Sequence, residues 1–159
     1  NTESLATVRR VPNEPGMAAK VFTLLAEAGV NVDMIVQASA STGTADISFT
    51  VPGSAAAKVR EVLQEKQDEL GYQSFDIDAN VGKVAVVGVG MKTHSGLAAK
   101  FFNALSDEGV NVLMISTSEI RIAALVPLEQ LQDAVRALHT AYGLDAEQVE
   151  AVVYGGTGR

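Results

Sequence analysis

Two histidines, no cysteine and one glycine-bearing strand end are the chain's few starting points for chemistry. His94 lies just before a predicted helix and His139 on a predicted helix face, and neither stands in a recognisable spacing with Asp, Ser or Glu. A nucleophile without an adjacent base is weak, so this arrangement argues against acid-base or covalent catalysis. The missing cysteine removes thiolate nucleophiles, disulfides and cysteine-ligated metal sites, and no His and carboxylate cluster suggests another metal site. The stretch VAVVGVGMKTHSG (84–96) runs strand, glycine turn, helix, as a nucleotide loop would. Gly88 and Gly90 supply G-x-G, but the third glycine of G-x-G-x-x-G falls at Thr93, and no G-x-x-x-x-G-K-[ST] occurs. These glycines read as a strand turning into a helix.

The elements that carry these residues come in two copies. Residues 15–35 align without a gap on residues 95–115, with 12 identities in 21 positions, among them Gly16/Gly96, Phe22/Phe102, Gly29/Gly109 and Asn31/Asn111. Each copy reads as strand, helix, strand, strand, helix, strand. Strands are expected at 5–11, 32–38, 45–51 and 72–78, then at 81–89, 112–117, 120–126 and 149–154. The first helices carry the stripes Ala18, Phe22, Leu25, Gly29 and Ala98, Phe102, Leu105, Gly109, whose glycines suit helix C-termini. The second helices carry Val59, Val62, Leu63 and Leu70, and Leu128, Leu131, Val135, Leu138 and Tyr142.

This pattern predicts an α+β chain of two tandem ferredoxin-like βαββαβ domains, 5–79 and 80–155, with antiparallel sheets and helices on one face. A flexible tail is expected at 156–159. Units this small bury only about 60% of their chain surface, so pairing of the two copies, or of two chains, would add burial, and a homodimer sharing sheets edge to edge or face to face is expected.

In both copies a helix N-terminus follows Gly16 or Gly96. Its free N–H groups, at Met17 and Ala18 or Leu97 and Ala98, could take a carboxylate. Asn31 and Asn111 open the next strands, and Asp33, Gln37, Thr117, Ser118 and Glu119 could receive an ammonium or hydroxyl group. Such a site suits a free amino acid. Asn after Gly-Val is equally plain turn chemistry, and the spacing alone leaves both readings open. Asp33 faces Leu113, and Gln37 faces Thr117, in the repeat alignment, so the copies differ in what they offer.

Composition narrows the partners. Of 159 residues 47% are hydrophobic and 19% charged, enough apolar side chain for a core. A net charge of −7 disfavours nucleic acid and anionic membrane. Apolar runs such as Val84–Val89 fall far short of the ~20 residues of a membrane helix, and the start shows no signal pattern. A cytoplasmic protein is expected. The chain begins at Asn1 without Met, which reads as a fragment or a processed start.

The segments VPNEPGMAAKVFTLLAEAGVNVDMIVQ, VGKVAVVGVGMKTHSGLAAKFFNALSDEGVNVLMISTSEIRI and the terminal VYGGTGR together resemble the paired ACT domains of the aspartokinase family, nearest its regulatory beta subunits. The resemblance spans nearly the whole chain. It implies a module that binds threonine, lysine or both and so feedback-inhibits ATP-dependent phosphorylation of aspartate, with the kinase site in a catalytic alpha subunit and no cofactor in this chain. It places effector sites where the first ACT domain of one chain meets the second of another. Matched by motif, one set is Asn13, Ala18, Asn31, Val32, Asp33 and Gln37, and the other Leu97, Ala98, Asn111, Val112 and Ser118.

The chain departs from the family at Asn13, where Asp is usual, and at His94-Ser95, where His-Pro is usual. The family's last strand can also cross over to complete the first domain. Two alternatives follow from the fold: an ACT-type amino-acid sensor of another enzyme or regulator, for which a DNA-binding extension would be the discriminator, and a small stand-alone enzyme, for which turnover of aspartate and ATP would be.

Overall fold

The computed structural model describes residues 3–88, 96–118, 120–142 and 151–155. The chain divides into two units, Asn1–Ala79 and Asn80–Arg159. In the first, β1 (Glu3–Pro12), α1 (Met17–Glu27), β2 (Ile35–Ser39), β3 (Thr44–Pro52), α2 (Ala56–Glu65), the short α3 (Gln67–Leu70) and the start of β4 (Ser74–Gly88) follow one another. In the second come the rest of β4, then α4 (Leu97–Asp107), β5 (Met114–Thr117), β6 (Arg121–Pro127), α5 (Leu131–Tyr142) and β7 (Ala151–Gly155). Each unit has the expected βαββαβ order. Strand order is β2-β3-β1-β4 in the first and β5-β6-β4-β7 in the second. Among the described residues, no helix is long and apolar enough to cross a membrane.

Each unit has its own core between sheet and helices. In the first, Ala6, Val8 and Val11 of β1 and Ile47, Phe49 and Val51 of β3 meet Val21 and Leu25 of α1 and Val59, Val62 and Leu63 of α2. In the second, Val84 and Val86 of β4 and Ile122, Ala124 and Val126 of β6 meet Leu97, Phe101 and Leu105 of α4 and Ala134, Leu138 and Tyr142 of α5. The helices are rotated by about one residue from the expected stripes. Val21 and Phe101 take the centre, while Phe22 and Phe102 lie on the flank, half-buried. Adjacent apolar pairs leave the choice of centre to the packing, and Phe22 settles edge-on against Phe49, 5.4 Å between ring centres.

Both first helices end as their glycines predict. Gly29 has φ 80° and Gly109 φ 70°, a left-handed conformation that glycine adopts without steric cost. Val30 N–H donates to Leu25 O and Gly29 N–H to Ala26 O, each at 3.0 Å, the paired bonds of a Schellman end. Val110 and Gly109 repeat them onto Leu105 and Ser106.

Four expectations change. The strands expected at 72–78 and 81–89 are one strand, β4, because nothing in Ala79-Asn80-Val81 breaks extended backbone. Gly82 sits inside it, where a Cβ would come within 2.9 Å of Leu131 Cδ2, so its smallness serves close packing. The helix expected to run through Leu70 breaks at Lys66 into α2 and α3. Strand β2 pairs only from Ile35, since residues 33 and 34 are bonded to Thr50 before the ladder begins. Strand β6, which the alternation of Ile120, Ile122, Ala124 and Val126 with Glu119, Arg121, Ala123 and Leu125 predicts to be half-buried, is buried on both faces from Ile122 to Val126. The last strand, β7, pairs antiparallel with β4 over Val84–Gly88, within the second unit.

Candidate functional site

In the first unit a pocket of about 180 Å³ opens between the end of β1, the N-terminus of α1 and Gln37, the middle residue of β2. Its floor is apolar, formed by the buried Val11, Ala45 and Ile47. Its rim is polar, formed by Asn13, Glu14 and Gln37. This volume lies below the roughly 300–1,000 Å³ of drug-sized pockets, and suits a ligand of amino-acid size.

The turn Pro12–Gly16 builds the rim. Gly16 precedes the helix with φ 90° and no side chain caps it. Met17 N–H donates to Glu14 O at 3.2 Å and Lys20 N–H to Gly16 O at 2.9 Å. Ala18 and Ala19, between them, bring first-turn N–H groups to the pocket wall, where the helix dipole favours an anion. The available donors are thus Ala18 and Ala19, displaced one position from the expected Met17 and Ala18.

Asn13 is held on both sides. Its backbone N–H donates to Gly43 O at 3.0 Å and its Nδ2 to Ser39 Oγ at 3.3 Å. Its Oδ1 accepts from Gln37 Nε2 at 3.4 Å. With that oxygen engaged, Glu14 is the one carboxylate among the described lining residues. Sequence reasoning passed over Glu14, although an acid two residues before the helix glycine was visible in the motif NEPG.

The fold gathers Asn13, Ala18 and Gln37 at this pocket and puts Asn31, Val32 and Asp33 elsewhere. Helix α1, about 16 Å long at 1.5 Å per residue, separates them, because the strand that follows a helix starts beside its C-terminus. The helix N-terminus therefore faces Gln37 and not the segment that precedes β2. Asn31 and Asp33 are exposed, and Val32 packs on the core. Asp33 N–H donates to Thr50 O at 3.0 Å, and Met34 N–H to Thr50 Oγ1 at 2.9 Å.

In the second unit, Leu97 is buried and its carbonyl accepts from the Tyr142 hydroxyl at 2.6 Å, while Ala98 is exposed. Burial pushes the Tyr142 hydroxyl up to a pKa of about 12. Asn111 N–H donates to Gln130 Oε1 at 2.8 Å, and Gln130 Nε2 to Gly109 O at 3.0 Å. Val112 is half-buried on the core, and Thr117 and Ser118 are exposed at the end of β5. Ser118 Oγ accepts from Ile120 N–H at 3.4 Å. His94, Glu119 and Gly90 lie outside the described residues. His139 is exposed on α5. A wider groove of about 580 Å³ between α4 and α5 is walled by Lys100, Asp107, Glu108 and Arg136, a solvated charged rim around alanines.

Comparison with known proteins agrees with the resemblance read from the motifs. Residues 9–67 and 84–142 each match the ACT domain. The aspartokinase of Corynebacterium glutamicum is 46% identical over 99% of this chain, and that of Mycobacterium tuberculosis strain H37Rv 42%. The chain spans 38% of the length of either relative. Among solved structures, a chain from the crystal structure of aspartokinase alpha and beta subunits superposes with a TM-score of 0.83 at 43% identity, covering 89% of this chain and 93% of that one. The ligand-free regulatory subunit of aspartate kinase from Thermus thermophilus does so with a TM-score of 0.83 at 36% identity, with the same coverage.

Proposed function

Since this chain belongs to the ACT-domain family, as a tandem pair of the aspartokinase regulatory type, we propose that it is the effector-binding part of an aspartate kinase. It binds threonine, alone or with lysine, and so feedback-inhibits phosphorylation of aspartate by a catalytic subunit or domain. The pocket at the start of α1 carries this reading. A free amino acid would set its carboxylate on the Ala18 and Ala19 N–H groups, its ammonium against Glu14, and its methyl on Val11, Ala45 and Ile47. With Asn13 already engaged, Glu14 supplies the charge that an Asp at that position would carry.

The exposed edge strands support the same reading, as surfaces through which two chains would meet. β2 is exposed along its whole length, and Ile35, Val36, Leu113, Ile115 and Ile120 are each at least 40% exposed. Unpaired edges with apolar side chains are surfaces that proteins cover. In such a homodimer the first domain of one chain meets the second of another, which would bring the Ser118 end of β5 to the effector. An effector that favours one packing of the pair shifts an attached kinase by its difference in affinity between the two packings, about 1–3 kcal/mol for typical coupling.

Isothermal calorimetry with threonine, then lysine, tests this, with light scattering to follow assembly. We expect saturable threonine binding that tightens a dimer, weakened at least about tenfold by Glu14→Gln, the loss of roughly one charge-assisted contact. Absence of binding by either amino acid would move the function to another ACT ligand.

A further inference from the structure

Strand β1 does not run straight into the pocket. Val8 pairs with Ile47 and Val11 with Ala45, so Arg9 and Arg10 together stand opposite the single residue Asp46. This is a β-bulge, one extra residue in one strand. Arg10 has φ 57°, the one non-glycine residue with a positive φ among the described residues. Side chains other than glycine's rarely adopt that conformation, and they persist there when surroundings hold them. The holder is visible: Arg10 N–H donates to the Asp46 carboxylate, 2.9 Å from Oδ1.

The bulge decides which side chains reach the pocket. Ala6 and Val8 face the helices, and strict alternation would send Arg10 and Pro12 inward next. One extra residue reverses this. Val11 returns to the core and floors the pocket, and Asn13 reaches its rim beside Gln37. A one-residue slip in a strand exchanges its two faces, so without the bulge both would turn away. Asp46 also pairs with Ala38, the neighbour of Gln37, and so joins the two strands that carry the polar rim.

We infer that Asp46 is a positioning residue for amino-acid binding: its carboxylate holds the Arg10 bulge, which aims Val11 and Asn13 into the pocket at the start of α1. The inference rests on the proposed amino-acid site for its ligand and on the bulge geometry for its mechanism, and the two are tested apart. Threonine affinity of Asp46→Ala, Asp46→Asn and Arg10→Gly/Asp46→Ala is measured by calorimetry. Amide spectra of the ligand-free proteins report Val11 and the Asn13 and Gln37 side chains.

Asp46→Ala weakens threonine about tenfold, as loss of one hydrogen bond to a charged group would, and moves those resonances. Asp46→Asn keeps an acceptor and stays within about twofold of the parent. Adding Arg10→Gly to Asp46→Ala restores both readouts, since glycine holds a positive φ without support. Unmoved resonances in Asp46→Ala, or a loss that Arg10→Gly fails to reverse, overturns the inference. If the parent protein binds neither threonine nor lysine, the proposed ligand is wrong, and the resonances alone still decide the bulge.

Discussion

After its first helix, each unit must anchor the same Gly-Val-Asn-Val segment, and the two share a backbone bond but add different side chains. In the first, Asp33 N–H donates to Thr50 O, as Leu113 N–H does to Leu125 O in the second, and the Thr50 hydroxyl also receives Met34 N–H. In the second, Gln130 reaches back from the turn before α5, accepting from Asn111 N–H and donating to Gly109 O. The corresponding residue after Pro52 in the first unit is Ala55, which has nothing to reach with. The first lysines of α1 and α4 also differ in use. Lys20 pairs with Glu69 at 3.6 Å, and Lys100 lies 4.9 Å from the centre of the Tyr142 ring. Both units use polar side chains to hold backbone, Thr50 and Asp46 in the first and Gln130 and Tyr142 in the second, and the first also gathers Asn13, Glu14 and Gln37 around a pocket. A duplicated scaffold keeps its helix ends while its polar groups take separate tasks.

Substitutions can break this comparison at its core first. Phe101 and Val21 occupy the same central place on their helices, so Phe101→Ala should cost about 3–5 kcal/mol and Val21→Ala clearly less, measured by urea unfolding. Equal losses would show that the two helices are not packed alike. Next come the strands that precede each turn. Gln37→Phe and Ser118→Phe, one per unit, should each abolish threonine binding, by at least about a hundredfold, with the far-ultraviolet circular dichroism unchanged. Threonine affinity unchanged in Ser118→Phe would remove the second unit from the effector site.

The anchors themselves are separated by Thr50→Val and Gln130→Ala. The first leaves a buried Met34 N–H without its acceptor and should lose about 1–3 kcal/mol, whereas the second exposes its partners to water and should lose no more than about 1 kcal/mol. The smallest effect concerns pH. Tyr142 is held protonated by burial, with its folded pKa of about 12 above the unfolded value of 10.0. Its contribution is fully present below pH 10 and lost as pH rises toward 12. Stability should therefore fall more steeply over that window in the parent than in Tyr142→Phe, which cannot ionise there.

Much of the fold was legible in the residues because its signals are local. Gly29 and Gly109 end helices through bonds to residues at most five positions away, and alternation in Ala45–Val51 marks a strand wherever it packs. The rotation of α1 and α4 was not legible, since the identities between copies, Phe22 and Phe102, mark the flank while the centre is filled by the non-identical Val21 and Phe101. The site was legible in part. A helix start with small residues after Gly16 was readable, and so were Asn13 and Gln37, but Glu14 was hidden by attention to Asn13.

By itself the sequence determined that two copies of one βαββαβ unit are present, where their helices stop, and that few residues offer catalysis. Those are consequences of repetition, glycine backbone freedom and residue chemistry, all written within short spans. Only the tertiary structure decided that Arg9 and Arg10 share one partner on β3, that β4 runs unbroken from Ser74 to Gly88, and that α1 stands between Asn13 and Asn31. Each of these depends on pairing between residues far apart in the chain. A shift of one residue there exchanges the faces of a strand, and no local pattern records which register wins.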